Sequence, residues 1–202
     1  MIRPRLIVCL LLKNGLIVRS QEFKKHQVIG TPLSTVYRLS NWGVDELIVL
    51  DISNENYHDM RRDDLQYKYL GTKITDVLKQ ISDVCFMPLS VGGRIKSIKD
   101  IDERLEFGAE KCIINSKAIE DPNFIKTASK KYGSQCIVVN IDVIKYKNGH
   151  HEVITNSGKT KTGLNPIKWA MEVENLGAGE IFLNSIDRDG TGNGYDLQLI
   201  KS

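Results

Sequence analysis

Residues 177–195 read GAGEIFLNSIDRDGTGNGY, and the rest of the chain repeats their pattern. The GAG at 177–179 ends a helix, residues 180–184 make a short apolar strand, and residues 185–195 form a polar, glycine-rich loop at its C-terminal end. Two relatives of this pattern come earlier: GVDE at 43–46 leads into LIVLDIS, and GAEK at 108–111 into CIINS. Each time glycine closes a helix, a charged residue opens a strand, and Asp, Ser or Asn stands at or beyond the strand's far end. Glycine suits the left-handed residue at which helices commonly stop, and strands alternating with helices at this spacing indicate parallel βα units. The rhythm predicts an α/β barrel.

Working outward in chain order, residues 5–12 (RLIVCLLL) are a continuous apolar strand of the kind buried on both faces. A period of two puts Arg5, Ile7, Cys9 and Leu11 on one face, which parity turns inward. Lys13-Asn14-Gly15 turns the chain, and residues 16–19 are expected to form a small hairpin. Thr31-Pro32 opens a helix to residue 42. Strand two is 46–51, followed by a polar loop at 53–61 and a long helix from about residue 63 to 81. Strand three, 86–91, runs into Gly92-Gly93-Arg94, and Ser97 caps a helix reaching Phe107. Strand four is 111–114, and a helix from Asp121-Pro122 ends near Gly133. Strand five is 135–142, residues 146–155 form a hairpin turning at Asn148-Gly149, and Asn165-Pro166 opens a helix ending at Gly177.

The strand–helix alternation occurs six times, with the sixth helix short. An eight-stranded barrel takes about 250 residues. The 202 residues are therefore expected to form one (βα)8-type domain, with units seven and eight absent. Six strands alone would leave open edges, and an open doubly wound sheet is the alternative.

Composition narrows the function classes. The chain is 41% hydrophobic and 26% charged, which is ordinary for a globular protein. A net charge of +3, with no basic cluster larger than a pair such as Lys24-Lys25 or Lys130-Lys131, argues against a nucleic-acid partner. The longest apolar run, residues 6–12, is too short to span a bilayer. No secretory cleavage site follows it, so a cytoplasmic setting is expected, without a membrane partner. Cys9, Cys85, Cys112 and Cys136 lie in or beside apolar runs with no CxxC or CxxH spacing and are expected to be reduced core thiols. His26, His58, His150 and His151 fall in polar, loop-like sequence without the spacing of a zinc site, so no metal is expected.

The halves echo each other. RLIVCLLLKNG aligns with QCIVVNIDVIKYKNG, and GVDELIVLDIS with GAGEIFLNSID, as in a duplicated half-barrel. In this alignment Asp142 corresponds to Leu11: one half has a carboxylate at the C-terminal rim, and the other an aliphatic side chain.

KNG after strand one, VDELIVLDI, SVGGRI, EKCIINS, VVNID, SGKTKTG and GAGEI…SIDRDGTGNGYD follow one another across the chain. This collinear set resembles the cyclase subunit of imidazole glycerol phosphate synthase. The resemblance implies a (βα)8 barrel that receives ammonia from a glutaminase subunit on its N-terminal face and passes it to a phosphorylated small molecule at its C-terminal face. No cofactor is implied. In that family two rim aspartates, on strands one and five, do acid–base work. Asp142 matches the second, and Leu11 stands in place of the first. A positioned acid–base group is typically worth about 10²–10⁴-fold in rate, so Leu11 puts ring closure in question, with Asp51 the nearest substitute carboxylate.

The resemblance also implies a ring of alternating charges at the ammonia entrance, matched by Arg5, Glu46, Lys111 and Glu180. Four charges at the strand bottoms are costly to bury unpaired, and a structural salt-bridge plug is the plainer alternative. Gly92, Gly93, Asn115 and Ser116 match a phosphate site in which backbone N–H groups and small side chains receive an anion. Asp187, Asp189, Gly190 and Thr191 match the loop after strand six that lines the substrate pocket. Arg19, where the family usually carries lysine, is expected to reach the same pocket.

A kept gate, a kept rim and a lost strand-one aspartate resemble cyclase-like subunits that serve surface-polysaccharide synthesis. Such subunits act with a glutaminase and a sugar amidotransferase to form acetamidino sugars. Ammonia delivery in such a complex is the leading expectation. The alternatives are a true imidazole glycerol phosphate synthase cyclase subunit of histidine biosynthesis and a non-catalytic scaffold that activates a glutaminase.

Overall fold

A computed structural model of the protein describes residues 4–59 and 73–202. They cluster into two compact units, one of residues up to Arg19 with Gln27–Cys112, the other of Ser20–His26 with Ile113–Ser202.

In the first unit β1 (Ile7–Lys13) turns through Asn14-Gly15, both at positive φ, into the antiparallel β2 (Leu16–Gln21). Two left-handed residues in succession are what a tight hairpin needs. β3 (Lys25–Gly30) follows, and Thr31 accepts a hydrogen bond from the Ser34 N–H to cap α1 (Pro32–Asn41). β4 (Glu46–Asp51) lies parallel to β1, from Ile7 beside Glu46 to Leu12 beside Asp51. After α2 (Ile74–Ser82), β5 (Leu89–Gly92) pairs parallel with β4. Ser97 and Asp100 then form a reciprocal capping box on α3 (Ile98–Glu106). One strand face, with Leu12, Leu47 and Val49 fully buried, joins Val36 of α1 and Val77 and Leu78 of α2 in a single core. Complete burial of a side chain of this size contributes about 1.5–3 kcal/mol.

β6 (Lys111–Ile114) carries the chain from the first unit into the second. There α4 (Ser116–Glu120) and α5 (Asn123–Tyr132) precede a 3₁₀ turn and β7 (Ile137–Lys145). β8 (His151–Thr155) folds back antiparallel on β7 and pairs with the short β9 (Thr160–Lys161). Asn165 accepts from the N–H groups of Ile167 and Lys168 to cap α6 (Pro166–Asn175). β10 (Glu180–Ser185) then lies parallel to β7, and Asp196 caps α7 (Leu197–Lys201). This is a mixed α/β fold with parallel strands, as expected for part of a (βα)8-type barrel. Among the described residues no helix is long and apolar enough to cross a membrane.

Several expectations need correction. Arg5 precedes the first strand, which is not buried on both faces: Leu10 and Leu12 are covered, whereas Ile7 and Cys9 are exposed. Only Cys112 is a fully buried thiol, and none of the four cysteines is in a disulfide. Strand three begins at Leu89 rather than 86, and Phe86 is 85% exposed. The long second helix is seen as α2, while residues 63–72 of its expected span, and 60–61 of the preceding loop, lie outside the described residues. The 114–121 segment contains α4, a helix too short to show periodicity in sequence. His58, read as a polar loop residue, is fully buried.

Candidate functional site

β7 places Asp142 at its C-terminal end with 3% of its surface exposed. Three asparagine amides converge on the carboxylate. Asn115, just beyond β6, donates to Oδ2 at 2.6 Å. Asn140, two residues back on the same strand face, and Asn184, the register partner of Asp142 on β10, each donate to Oδ1 at 3.2 Å. Burial pushes the Asp142 carboxyl up to about 6; the three amide donors pull it down, and the nearby charge of Asp189 pushes it up again. A carboxyl held near neutrality can both take and return a proton.

The same unit gathers other expected rim residues. The Ser116 hydroxyl is held at 2.6 Å by Thr155, and it also receives the Asn156 N–H. Asp187 accepts from the Lys145 N–H, and the Thr191 hydroxyl donates to the Arg188 carbonyl. The Asp189 main-chain oxygen accepts from Glu22 N–H, and its carboxylate from Phe23 N–H, tying the tip of the β2–β3 hairpin to this loop. Gly190 is required there: a Cβ would run into the Ser20 carbonyl, and φ is +64°.

In the first unit the strand ends carry Asp51, Gly92 and Gly93. Asp51 is engaged within the chain: Oδ1 accepts the Ser53 N–H at 3.0 Å, and Oδ2 lies 3.4 Å from His58 Nε2 in a pair with no exposed side-chain surface. Gly93, at φ +94°, passes so close to the Asp51 carbonyl that no side chain fits. Arg94 donates to the carbonyls of Ser53 and Asn54, bracing the loop after β4. Leu11 is half-buried between Leu50 of β4 and Val18 of β2, and Arg19 is exposed.

At the opposite strand ends, Glu46 is 2% exposed and accepts four hydrogen bonds. Arg5 Nη1 and Ser90 Oγ each lie at 2.8 Å, and Lys111 Nζ bridges both carboxylate oxygens at 3.0 and 3.1 Å. Three of the four charges expected as a ring are thus one hydrogen-bonded cluster. Glu180 opens β10 in the second unit.

Sequence reasoning passed over Asn140, Asn184, Ser90 and His58. A period-two reading of VVNID would have put Asn140 beside Asp142, and the half-barrel alignment brings GEIFLN alongside the same strand. Ser90 has no comparable signal, because its partner Glu46 is 44 positions away, and His58 meets Asp51 only through the folding of the loop after β4.

The second unit thus has a buried carboxyl at the C-terminal end of a strand, and the first a buried charge cluster at the starts of its strands, both on a parallel α/β scaffold. The histidine biosynthesis protein family matches residues 5–202, and the chain belongs to it. Imidazole glycerol phosphate synthase subunit HisF of Alkaliphilus metalliredigens is 37% identical over 201 residues, covering 100% of this chain and 75% of its own length. Putative imidazole glycerol phosphate synthase subunit hisF2 of Vibrio vulnificus is 40% identical over 202 residues, covering 100% of this chain and 70% of its own. The chain is therefore a homologue of the HisF-type enzyme subunit. Neither relative is named for a polysaccharide or a sugar.

Proposed function

We propose that this chain is the cyclase-type subunit of a glutamine-dependent imidazole glycerol phosphate synthase. It would work in the cytoplasm with a glutaminase subunit that supplies ammonia. The observation that carries this reading is the Asp142 carboxyl, buried, held by three amides and titrating at about 6. Asp142 takes a proton as ammonia adds to the acceptor and returns it as the ring closes. In the second unit Asn115 and Ser116 receive a phosphate and the loop of Asp187, Asp189, Gly190 and Thr191 borders the substrate; in the first unit Gly92, Gly93 and Arg19 have the same phosphate-receiving role, and the Arg5–Glu46–Lys111 cluster, like Glu180 in the second unit, serves ammonia entry. Relatives named for this enzyme, at 37% and 40% identity, support the reading.

Leu11 favours a second reading: ammonia delivery to a nucleotide-linked sugar, with a sugar amidotransferase as further partner and little ring closure. Asp51 does not offset the loss of a strand-one acid, since its side chain is fully buried within its own loop, Oδ1 accepting the Ser53 N–H and Oδ2 lying 3.4 Å from the buried His58. A cyclase assay with ammonium salt, on the wild type and on Leu11→Asp, separates the two. Turnover by the wild type establishes the cyclase. An inactive wild type with a Leu11→Asp variant that gains activity overturns it in favour of ammonia delivery.

A further inference from the structure

The loop after β10, in the second unit, is held at its two ends and loose between them. At its near end Asp187 accepts the Lys145 N–H at 2.9 Å, and Asp189 accepts the N–H groups of Glu22 and Phe23. Further on the bonds run within the loop: Thr191 N–H to the Arg188 carbonyl, Arg188 Nη1 to the Asn193 carbonyl, and Asn193 N–H to the Thr191 hydroxyl. A Cβ at Gly192 or Gly194 would meet no atom within 4 Å. A glycine-rich span without packing neighbours keeps its backbone freedom unless its far end is fixed.

That far end is Asp196, whose side chain is 3% exposed. Its Oδ1 accepts the Leu199 N–H at 3.0 Å, which starts α7, and its Oδ2 lies 3.2 Å from Nε2 of His151 on β8. Burial works against the charge of Asp196, but the Leu199 N–H, the His151 ring and the Lys145 ammonium hold its carboxyl below the usual range. An ionised carboxylate only accepts, so the His151 Nε2 carries a proton. His151 is the register partner of Lys145 on β7. One pair of strands therefore grips the loop twice, through the Lys145 main chain at Asp187 and through the His151 side chain at Asp196. Between the grips, Asp189, Gly194 and Tyr195 line a cavity together with Asn184, the residue whose amide donates to Asp142.

We propose that His151 is a positioning residue: its hold on Asp196 keeps residues 190–195 in place as a wall of the substrate site, more firmly when the imidazole is protonated. The proposal rests on the reading of this loop as the border of the substrate. A neutral imidazole offers the carboxylate an N–H, and an imidazolium adds charge attraction to the same bond. Histidine ordinarily changes charge between about pH 5 and pH 8. The charged groups facing His151 are Asp196 at the start of α7 and Lys145 on β7, whose ammonium is bonded to Gln198. His150 and Glu152 flank it on the hairpin, Glu152 being engaged by the Tyr146 hydroxyl and the Gly163 N–H. The start of α6 brings Asn165, Pro166 and Ile167, none of them charged.

The test is hydrogen exchange of residues 187–200 in the full chain, comparing wild type with His151→Ala and His151→Gln at about pH 5.5 and about pH 8. Comparison at equal pH removes the pH dependence of exchange itself. Glutamine keeps a side-chain N–H donor that does not titrate. The expected result is roughly 10-fold faster exchange from Thr191 to Leu199 in His151→Ala, and within about 3-fold of wild type in His151→Gln. The advantage of wild type over His151→Gln should be larger at the lower pH. In the cyclase assay with ammonium salt, KM should rise by roughly 3- to 10-fold in His151→Ala, with kcat little changed. Unchanged exchange in a folded His151→Ala overturns the positioning role. If that variant does not fold, His151→Gln decides, and a difference from wild type that is the same at both pH values overturns the proposal. A looser loop with unchanged KM leaves the hold on Asp196 standing and removes the reading of this loop as the substrate border. A raised KM without a looser loop does the reverse, and in a protein without cyclase turnover the exchange result decides.

Discussion

Asp142 shows how one residue's burial becomes a pH dependence. Its folded pKa, about 6, lies above the ordinary 3.8, so as pH rises the unfolded chain gives up this proton first. The stability contributed by the protonated group is fully present below the ordinary carboxylate range and is lost as pH rises through about 6. Two units correspond to at most about 3 kcal/mol. Asp142→Asn cannot titrate, so its stability relative to wild type should improve by up to that amount between about pH 4 and about pH 7. Urea unfolding of both proteins at both pH values measures it, and a difference that does not change with pH would contradict it. Gly93 supports a second expectation. Gly93→Ala places a methyl against the Asp51 carbonyl at φ +94° and should cost about 2–3 kcal/mol, read as a drop in the urea midpoint. The strand-end aspartate and the double glycine were legible because end position and composition are sequence properties. The asparagine cage was not, because Asn184 and Asn115 reach Asp142 only through strand pairing and a loop crossing.

Elements were most legible where local chemistry fixes their ends. Thr31-Pro32, Ser97 and Asn165-Pro166 each start a helix through a side-chain oxygen that accepts N–H groups otherwise unpaired, a decision made within four residues. β4 and β6 match their expected bounds to the residue. The third strand starts late because the apolar run before Pro88 leaves Phe86 in solvent, and hydrophobicity alone does not distinguish a paired strand from an exposed loop. Glu46 ties the starts of three strands and Arg5, two residues before a fourth, so its loss acts between elements. Breaking a buried ion pair on one side costs about 3–5 kcal/mol, and an exposed one about 1 kcal/mol or less. The Lys111 side chain is 14% exposed and that of Arg5 51%, so the Lys111 contact sets the scale. Glu46→Gln should lower stability by about 3 kcal/mol. Arg5→Gln should lower it by less than about 1 kcal/mol. Thermal unfolding of the two variants side by side tests the order, and equal losses would contradict it.

At the scale of the molecule, the succession of βα units and their parallel pairing were legible in the glycine–charge–strand rhythm, because a period repeated along the chain needs no tertiary information. The grouping of the hairpin tip, Ser20–His26, with residues from the far half of the sequence was not, because it shows only in contacts such as one main-chain bond and one carboxylate bond to Asp189. Asp189→Ala removes the carboxylate bonded to Phe23 N–H, a loss of about 1 kcal/mol, and should speed tryptic cleavage after Lys24 and Lys25 by roughly 5-fold. Cleavage at the wild-type rate would show that the tip is held by other means. The Phe23–Asp189 bond spans 166 positions. Closing so long a loop is entropically unfavourable until distant contacts repay it. On a ribosome the tip is therefore made early and must wait, unsatisfied, while most of the barrel is translated. The loop after β10 is the segment that finally holds it, so this end of the second unit is set late in synthesis, and a chaperone that shields residues 20–26 in the meantime would be protecting a hairpin tip still waiting for Asp189.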